Sequence, residues 1–201
     1  FTITHSDASQ LVITSQPLGG NATGDRLAGQ PVVEIRDRFN NLATSSTATV
    51  TASIASGSGA SLSSGQTSVA AVGGIATFTN VRLIGTPLAN YTVAFASGSL
   101  TGATSASISV TNNTAYQLAV ITQPVAGATA LALTTQPIIE VQDFYGNRVV
   151  GDNTTSVVAS ISSGANGTLA GSRTRTAING VVTFTDLALT GTPGVNYKLS
   201  F

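Results

Sequence analysis

Apolar and polar positions alternate along this chain in short bursts, and no stretch repeats at helical spacing. The clearest burst is Val32-Val33-Glu34-Ile35-Arg36-Asp37, opened by Gln30-Pro31 and closed by Arg38-Phe39-Asn40-Asn41. A β-branched run between a proline and an Asp-to-Asn turn predicts one strand entering one tight turn. Leu11-Val12-Ile13 predicts an opening strand that ends at Gln16-Pro17, with a Gly19-Gly20-Asn21 loop after it. Ala48 to Ile54 predicts a strand with Val50, Ala52 and Ile54 on one face. Gly57 to Gly65 reads as a Gly/Ser loop around Leu62. Ser68 to Val72 reads as a short strand turned by Gly73-Gly74 into Ile75 to Thr79. Asn90 to Phe95 alternates, with Tyr91, Val93 and Phe95 inward and Thr92 and Ala94 outward. Ser105 to Val110 closes the unit through Ile108 and Val110.

The whole pattern then returns. Gln10-Leu11 recurs as Gln117-Leu118, Gln16-Pro17 as Gln123-Pro124, and Gln30-Pro31 as Gln136-Pro137. Phe78 recurs as Phe184, Gly85-Thr86-Pro87 as Gly191-Thr192-Pro193, and Tyr91 as Tyr197. One-residue slips fall in loops, where length changes are tolerated. Two units of roughly one hundred residues follow, spanning 9–111 and 115–201 and joined near Thr111-Asn112-Asn113-Thr114. In the second unit the Gly73-Gly74 turn becomes Asn179-Gly180, a strong hairpin signal. About seven short strands per unit predict an all-β chain of two tandem immunoglobulin-like Greek-key β-sandwiches. Tyr91 and Tyr197 are placed to make the tyrosine-to-backbone hydrogen bond of such sandwiches.

The ends are mismatched. Phe1-Thr2-Ile3-Thr4 matches Ile108-Ser109-Val110-Thr111, so residues 1–8 read as the closing strand of a preceding or neighbouring unit plus a linker. Phe201 matches Phe95, so the second unit stops before its last strand. Two accounts fit: a window cut from a longer array, or donation of Phe1, Thr2, Ile3 and Thr4 to the open edge of another copy.

Three elements carry a resemblance. Val141 to Asn147, Asn179 to Leu187 and Gly191 to Phe201 resemble bacterial immunoglobulin-like repeats, which occur in tandem in large surface adhesins and invasin/intimin-like proteins. The resemblance covers nearly the whole chain twice. It implies an extracellular or cell-surface protein whose partners are neighbouring repeats or copies of itself, glycans, or a host surface. The first unit departs from the pattern at Asn40, where the second has Gly146; Asn tolerates positive φ, so the turn is expected to survive.

Composition narrows the function. Apolar residues are 42% of the 201, but aromatics only 5%, so the cores are built from Val, Ile, Leu and Ala. Charged residues are 8%, against about 25% in an ordinary domain. Lys+Arg and Asp+Glu balance at eight each, which offers no footprint for nucleic acid or an anionic membrane surface. Solubility rests on Ser, Thr, Asn and Gly, as in many secreted bacterial surface proteins. With no Cys there is neither a disulfide nor a thiolate metal site. No apolar run approaches the ~18 residues of a membrane span. No signal peptide is visible, and Phe1 reads as the start of a mature piece or an excised segment.

Candidate chemistry is sparse. His5 is the only histidine, and its neighbours Ser6 and Asp7 do not make a triad by adjacency. Asp7, Asp37, Asp143, Asp152 and Asp186 are too scattered for calcium, including an inter-unit site near Asp7 or Asn112-Asn113. Glu34 and Asp37 recur as Glu140 and Asp143, but residues three apart on a strand face opposite sides, and the Asp reads as a turn initiator capping its own backbone. Lys198, the only lysine, is expected to face solvent. Triplets such as Asn21-Ala22-Thr23 and Asn90-Tyr91-Thr92 fit the glycosylation pattern but read as turn residues. No catalytic, cofactor-binding or metal-ligating residue is assigned.

Ligand contact is placed on Phe144, Tyr145 and Phe39, at the turn of the opening motif. Phe39 and Tyr145 are the matched pair, one of which is expected to plug the end of the sandwich; Phe144, matched by Arg38, is the best candidate for an exposed contact. The expected function is a non-catalytic spacer or assembly module of an extracellular adhesin, stalk or fibre. The alternatives are a carbohydrate- or host-protein-binding module and an accessory domain of a secreted hydrolase.

Overall fold

The structure, a computed structural model, describes residues 5–63 and 65–201; the candidate donor strand Phe1–Thr4 lies outside them. Among the described residues every regular element is a strand and none is a helix. The chain divides into two compact units, with the boundary between Thr111 and Asn112.

The first unit holds β1 (Ala8–Ser15), β2 (Val32–Asp37), β3 (Thr49–Ser56), β4 (Ser61–Leu62), β5 (Ser68–Ala70), β6 (Ile75–Thr77), β7 (Leu83–Ile84), β8 (Thr92–Ala96) and β9 (Ala103–Thr104). One sheet runs β1-β2-β6, a second β5-β3-β8-β9, and β4 pairs with β7; every ladder is antiparallel. The register follows from the alternation. In β2, Val33, Ile35 and Asp37 are buried while Val32, Glu34 and Arg36 face outward. Val33 stands between Ile13 of β1 and Ala76 of β6. From the other sheet, Val50, Ala52, Val93 and Phe95 close on the same core. A one-residue slip would turn this apolar face to water.

Three sequence expectations change. Leu62 is not in a loop: β4 pairs with β7, and Leu62 packs on the core. Gly73-Gly74 does not join two strands of one hairpin. Val72 and Ile75 make a single bridge, after which β5 belongs with β3 and β6 with β2. A continued hairpin would hold both strands in one layer, whereas splitting them covers the core from two sides. Ser105 to Val110 is not a continuous strand either. Ser105 Oγ, rather than a main-chain carbonyl, accepts the amide of Val93 at 2.9 Å, which interrupts the ladder. Further on, Ile108 exchanges two 2.8 Å backbone bonds with Tyr91, and Thr111 bridges Ala22 in parallel. Ile108 and Val110 are buried as the alternation requires.

The second unit holds β10 (Gln117–Thr122), β11 (Ile138–Gln142), β12 (Ser156–Val158), β13 (Ser160–Ser163), β14 (Thr168–Ala170), β15 (Thr174–Thr176), β16 (Val181–Thr183), β17 (Ala188–Thr190) and β18 (Lys198–Ser200). The pairs β10-β11-β16, β12-β15, β13-β18 and β14-β17 repeat those of the first unit. Asn179-Gly180 again links two sheets through one bridge, Ile178 to Val181. Leu133, Ile139, Val157, Val182, Phe184 and Leu187 form the core. One element has no counterpart: β8 is flanked by β3 and β9, whereas β18 pairs with β13 alone among the described residues.

Candidate functional site

The Asp-to-Asn turn is a hydrogen-bonded hub. Asp37 is fully buried at the end of β2. One carboxylate oxygen accepts the amides of Phe39 and Asn41, both at 2.9 Å. The other accepts the amide of Ser6 at 2.9 Å, the Ser6 hydroxyl and the Asn41 side chain. Asn40 takes φ 70° and its counterpart Gly146 takes φ 80°, so the turn survives the substitution as expected. Asp143 repeats the arrangement with the amides of Tyr145 and Asn147, and its second oxygen accepts the amide of Asn113 at 3.3 Å. Each turn therefore fastens the segment that leads into its own unit. The adjacent Asn112 side chain donates to Arg148 O at 2.7 Å.

Burial opposes ionisation of Asp37, but the donors Ser6, Asn41 and Phe39 outweigh it and hold the carboxyl well below the ordinary carboxylate range. The unfolded chain therefore binds a proton that the folded chain refuses. This contribution to stability is complete above the unfolded value of about 4 and is lost as pH falls through the folded value. Denaturant unfolding of the first unit is expected to weaken from neutral pH to about pH 3, and more steeply in wild type than in Asp37→Asn. Equal slopes for the two proteins would remove Asp37 from this role.

Gln30 and Gln136 do work that the sequence did not reveal. The Gln30 side chain donates to Leu27 O and Val81 O and accepts the Val81 amide at 2.6 Å. Gln136 bonds Leu133 O, Leu187 O and the Leu187 amide in the same way. The amide group acts as a short piece of strand ahead of a proline that has no N–H to offer.

The aromatic residues of the turn do not plug the core. Phe39 is 65% exposed, Phe144 63% and Tyr145 38%. The inward position at this end belongs to the saturated Asp, and the chain turns away immediately after it. Phe39 instead lies under the Arg38 guanidinium at 4.7 Å. In the second unit Phe144 meets Tyr145 edge-on at 5.3 Å and Tyr116 at 5.2 Å. Tyr116, also exposed, was missed because it lies before β10, far from the turn in sequence.

The remaining polar candidates are engaged structurally. His5 contacts Ser6 O and Ser45 Oγ, while the Ser6 hydroxyl turns to Asp37, so His5, Ser6 and Asp7 form no relay. Asp152 is held below the carboxylate range by Thr155 and Thr154, and Asp186 by Ser172 and then Arg175. No group of three or more His, Asp or Glu gathers among the described residues. Lys198 is exposed.

The second unit also carries an open groove. It is a cavity of about 480 Å³ lined by Gly127, Thr129, Leu133, Leu189, Gly194 and Tyr197, among others. Its counterpart in the first unit is occupied. There Gly20 and Leu88 donate to Ser109 O and Val110 O, Thr23 donates to Thr111 O, and Tyr91 pairs with Ile108. The two places correspond bond for bond at the rim: Thr23 Oγ1 donates to Gly85 O as Thr129 Oγ1 does to Gly191 O. Gly24 donates to Leu83 O as Ala130 does to Leu189 O. A second hollow, of about 350 Å³, lies beside Tyr116 and Leu118. Leu118 is 40% exposed, whereas its counterpart Leu11 is 5% exposed, its amide bonded to Thr101 O.

The fold and these sites define an all-β protein of two similarly built units. No family model matches the chain, and no curated protein matches it. Among solved structures it is similar to FdeC, an Escherichia coli adhesin, at 16% identity and TM-score 0.41, over 98% of this chain and 60% of that one. It is also similar to a Parabacteroides merdae β-glucuronidase at 10% identity and TM-score 0.25, over 97% of this chain and 24% of that one. At these scores neither likeness carries a function across.

Proposed function

We propose that this chain is a pair of tandem immunoglobulin-like β-sandwich units serving as a non-catalytic spacer or assembly module of an extracellular bacterial adhesin, stalk or fibre, working with neighbouring repeats or copies of itself. The observation that carries this reading is the repeated fastening. Ser6 and Asn113 stand at matching positions, and each gives its amide to the turn carboxylate of the unit it leads into. Thr111 is bonded within the first unit, and Asn112 and Asn113 within the second. A module whose leading segment is pinned to its own turn suits a unit that is repeated in tandem. The low charge and abundant Ser and Thr suit an exposed surface that stays hydrated without attracting polyelectrolytes.

A second reading, a carbohydrate- or host-protein-binding module, is favoured by the exposed cluster of Tyr116, Phe144 and Tyr145. Exposed rings bind sugars through their faces, and these three meet edge-on, which leaves them no common platform. A glycan array separates the readings. The spacer reading expects no saturable binding by the intact chain. Saturable binding that disappears in Phe144→Ala would replace it with the binding module.

A further inference from the structure

We propose that Asn166 is a site of spontaneous modification, at which the Gly167 amide closes on the Asn166 side chain, ammonia leaves, and an acidic residue is left in the turn that holds Tyr197. The inference goes beyond the spacer and binding readings and depends on neither. Asn followed by Gly occurs twice in the chain, at Asn166-Gly167 and at Asn179-Gly180. An amide nitrogen reaches the preceding Asn side chain most easily when it belongs to Gly, because no Cβ crowds the approach. Both pairs therefore carry the same intrinsic chemistry. Both Asn residues are also exposed and hold positive φ, 59° and 51°. What separates the two is the amide that must attack.

The Gly180 amide is held. Its N–H donates to Asp152 O at 2.8 Å, and the Gly180 carbonyl accepts the Val141 amide at 2.9 Å. The Asn179 amide donates to Asn153 Oδ1 at 2.9 Å. Gly180 is buried, and a Cβ on it would run into Val149 O, so the backbone has little room to turn. Cyclisation requires rotation about the Asn ψ, which at this turn breaks the bond to Asp152. The attacking nitrogen must also lose its proton, and a proton shared with a carbonyl is harder to remove. The Gly167 amide is not held in this way. It makes no hydrogen bond of ordinary geometry, and the Asn166 side chain has no partner among the described residues.

The step balances without a second protein. The Gly167 nitrogen bonds to Asn166 Cγ as its proton leaves, the Cγ–Nδ2 bond breaks, and ammonia departs with that proton. Water then opens the five-membered imide at either carbonyl. One opening leaves an aspartate at position 166. The other leaves an isoaspartate, whose main chain runs through the side-chain carbon and is longer by that atom. This turn tolerates lengthening poorly. The Tyr197 hydroxyl donates to Ala165 O at 2.9 Å, and the ring lies so close to Gly164 and Gly167 that a Cβ on either would overlap it. Isoaspartate moves Gly167 off the ring. The new negative charge falls in a chain whose acidic and basic residues balance at eight each. The first unit has Gly59-Ala60 and Gly73-Gly74 at the corresponding places, so it has no Asn-Gly pair to react.

The test incubates the intact chain at neutral and mildly alkaline pH and follows the amide-to-acid mass gain by peptide mapping with fragmentation. Arg148, Arg173, Arg175 and Lys198 place the two Asn residues in separate tryptic peptides. In the folded chain Asn166 is expected to convert at least about tenfold faster than Asn179, a barrier difference of about 1.4 kcal/mol. In denaturant the two are expected to convert at similar rates. Equal rates in the folded chain, or a faster Asn179, overturn the proposal. A faster Asn166 that persists in denaturant overturns it too, because the cause would then be local sequence and not the bonds that hold Gly180. The effect on the turn is read at Thr192, whose amide donates to the Tyr197 hydroxyl at 2.9 Å. Its hydrogen exchange is expected to rise on ageing in wild type and to stay constant in Asn166→Gly, which places the first unit's residue at the positive φ. Unchanged Thr192 exchange in a converted chain overturns the link to Tyr197.

Discussion

Phe95→Ala lowers the unfolding free energy of the first unit by about 4 kcal/mol, and Phe201→Ala lowers that of the second by only about 2 kcal/mol. The two rings stand at matching places, each tilted against a partner: Phe95 on Phe78 at 5.5 Å and Phe201 on Phe184 at 5.6 Å. They differ in cover. Phe95 is 1% exposed, in a strand flanked by β3 and β9, whereas Phe201 is half-buried. Removing a fully enclosed ring forfeits its transfer energy and leaves a cavity. Removing a half-covered ring forfeits less and lets water in. The measurement is denaturant unfolding with hydrogen exchange read unit by unit, because the units need not unfold together. Equal losses would mean that the second core is as closed as the first, and the open groove would lose its energetic meaning.

Asp143→Ala destabilises the second unit by about 3 kcal/mol, and Asn147→Ala by about 1 kcal/mol. The carboxylate is fully buried and accepts from Tyr145, Asn147 and Asn113, so its loss strands several donors at once. Asn147→Ala removes only the side-chain donor and leaves the backbone bonds in place. Exchange of the Asn113 and Thr114 amides should rise in Asp143→Ala with the unit still folded. That local readout separates the fastening from bulk stability. If Asp143→Ala loosens the whole unit while exchange at Asn113 follows only the global loss, the turn is a stability element and not a fastening for the leading segment.

How much of this was legible varies by residue. Tyr91, Val93 and Phe95 were placed inward by alternation alone, and all are buried. The turn after β2 was read correctly from its Asp and Asn, because an Asx side chain finds its own backbone within a few residues. The tyrosine-to-backbone bond was anticipated for Tyr91, whose hydroxyl accepts the Thr86 amide at 2.7 Å and donates to Thr86 O. Tyr197 accepts the Thr192 amide in the same way but donates instead to Ala165 O. The Gly73-Gly74 turn was misread, since turn chemistry fixes the local reversal but not which sheet each arm joins. Phe39 and Tyr145 were misjudged because the burial of a turn residue depends on where the chain leaves the core.

The sequence by itself determined the duplication, most of the longer strands and the inward face of β8, because period-2 alternation and turn residues act within a few positions. Only the tertiary structure decided which strands share a sheet and that one acidic residue per unit is a buried fastening. It alone revealed that Tyr116 joins Phe144, and which residues line the groove of the second unit. Those facts depend on residues far apart in the chain meeting in space, and pairing across such distances leaves no local periodicity to read.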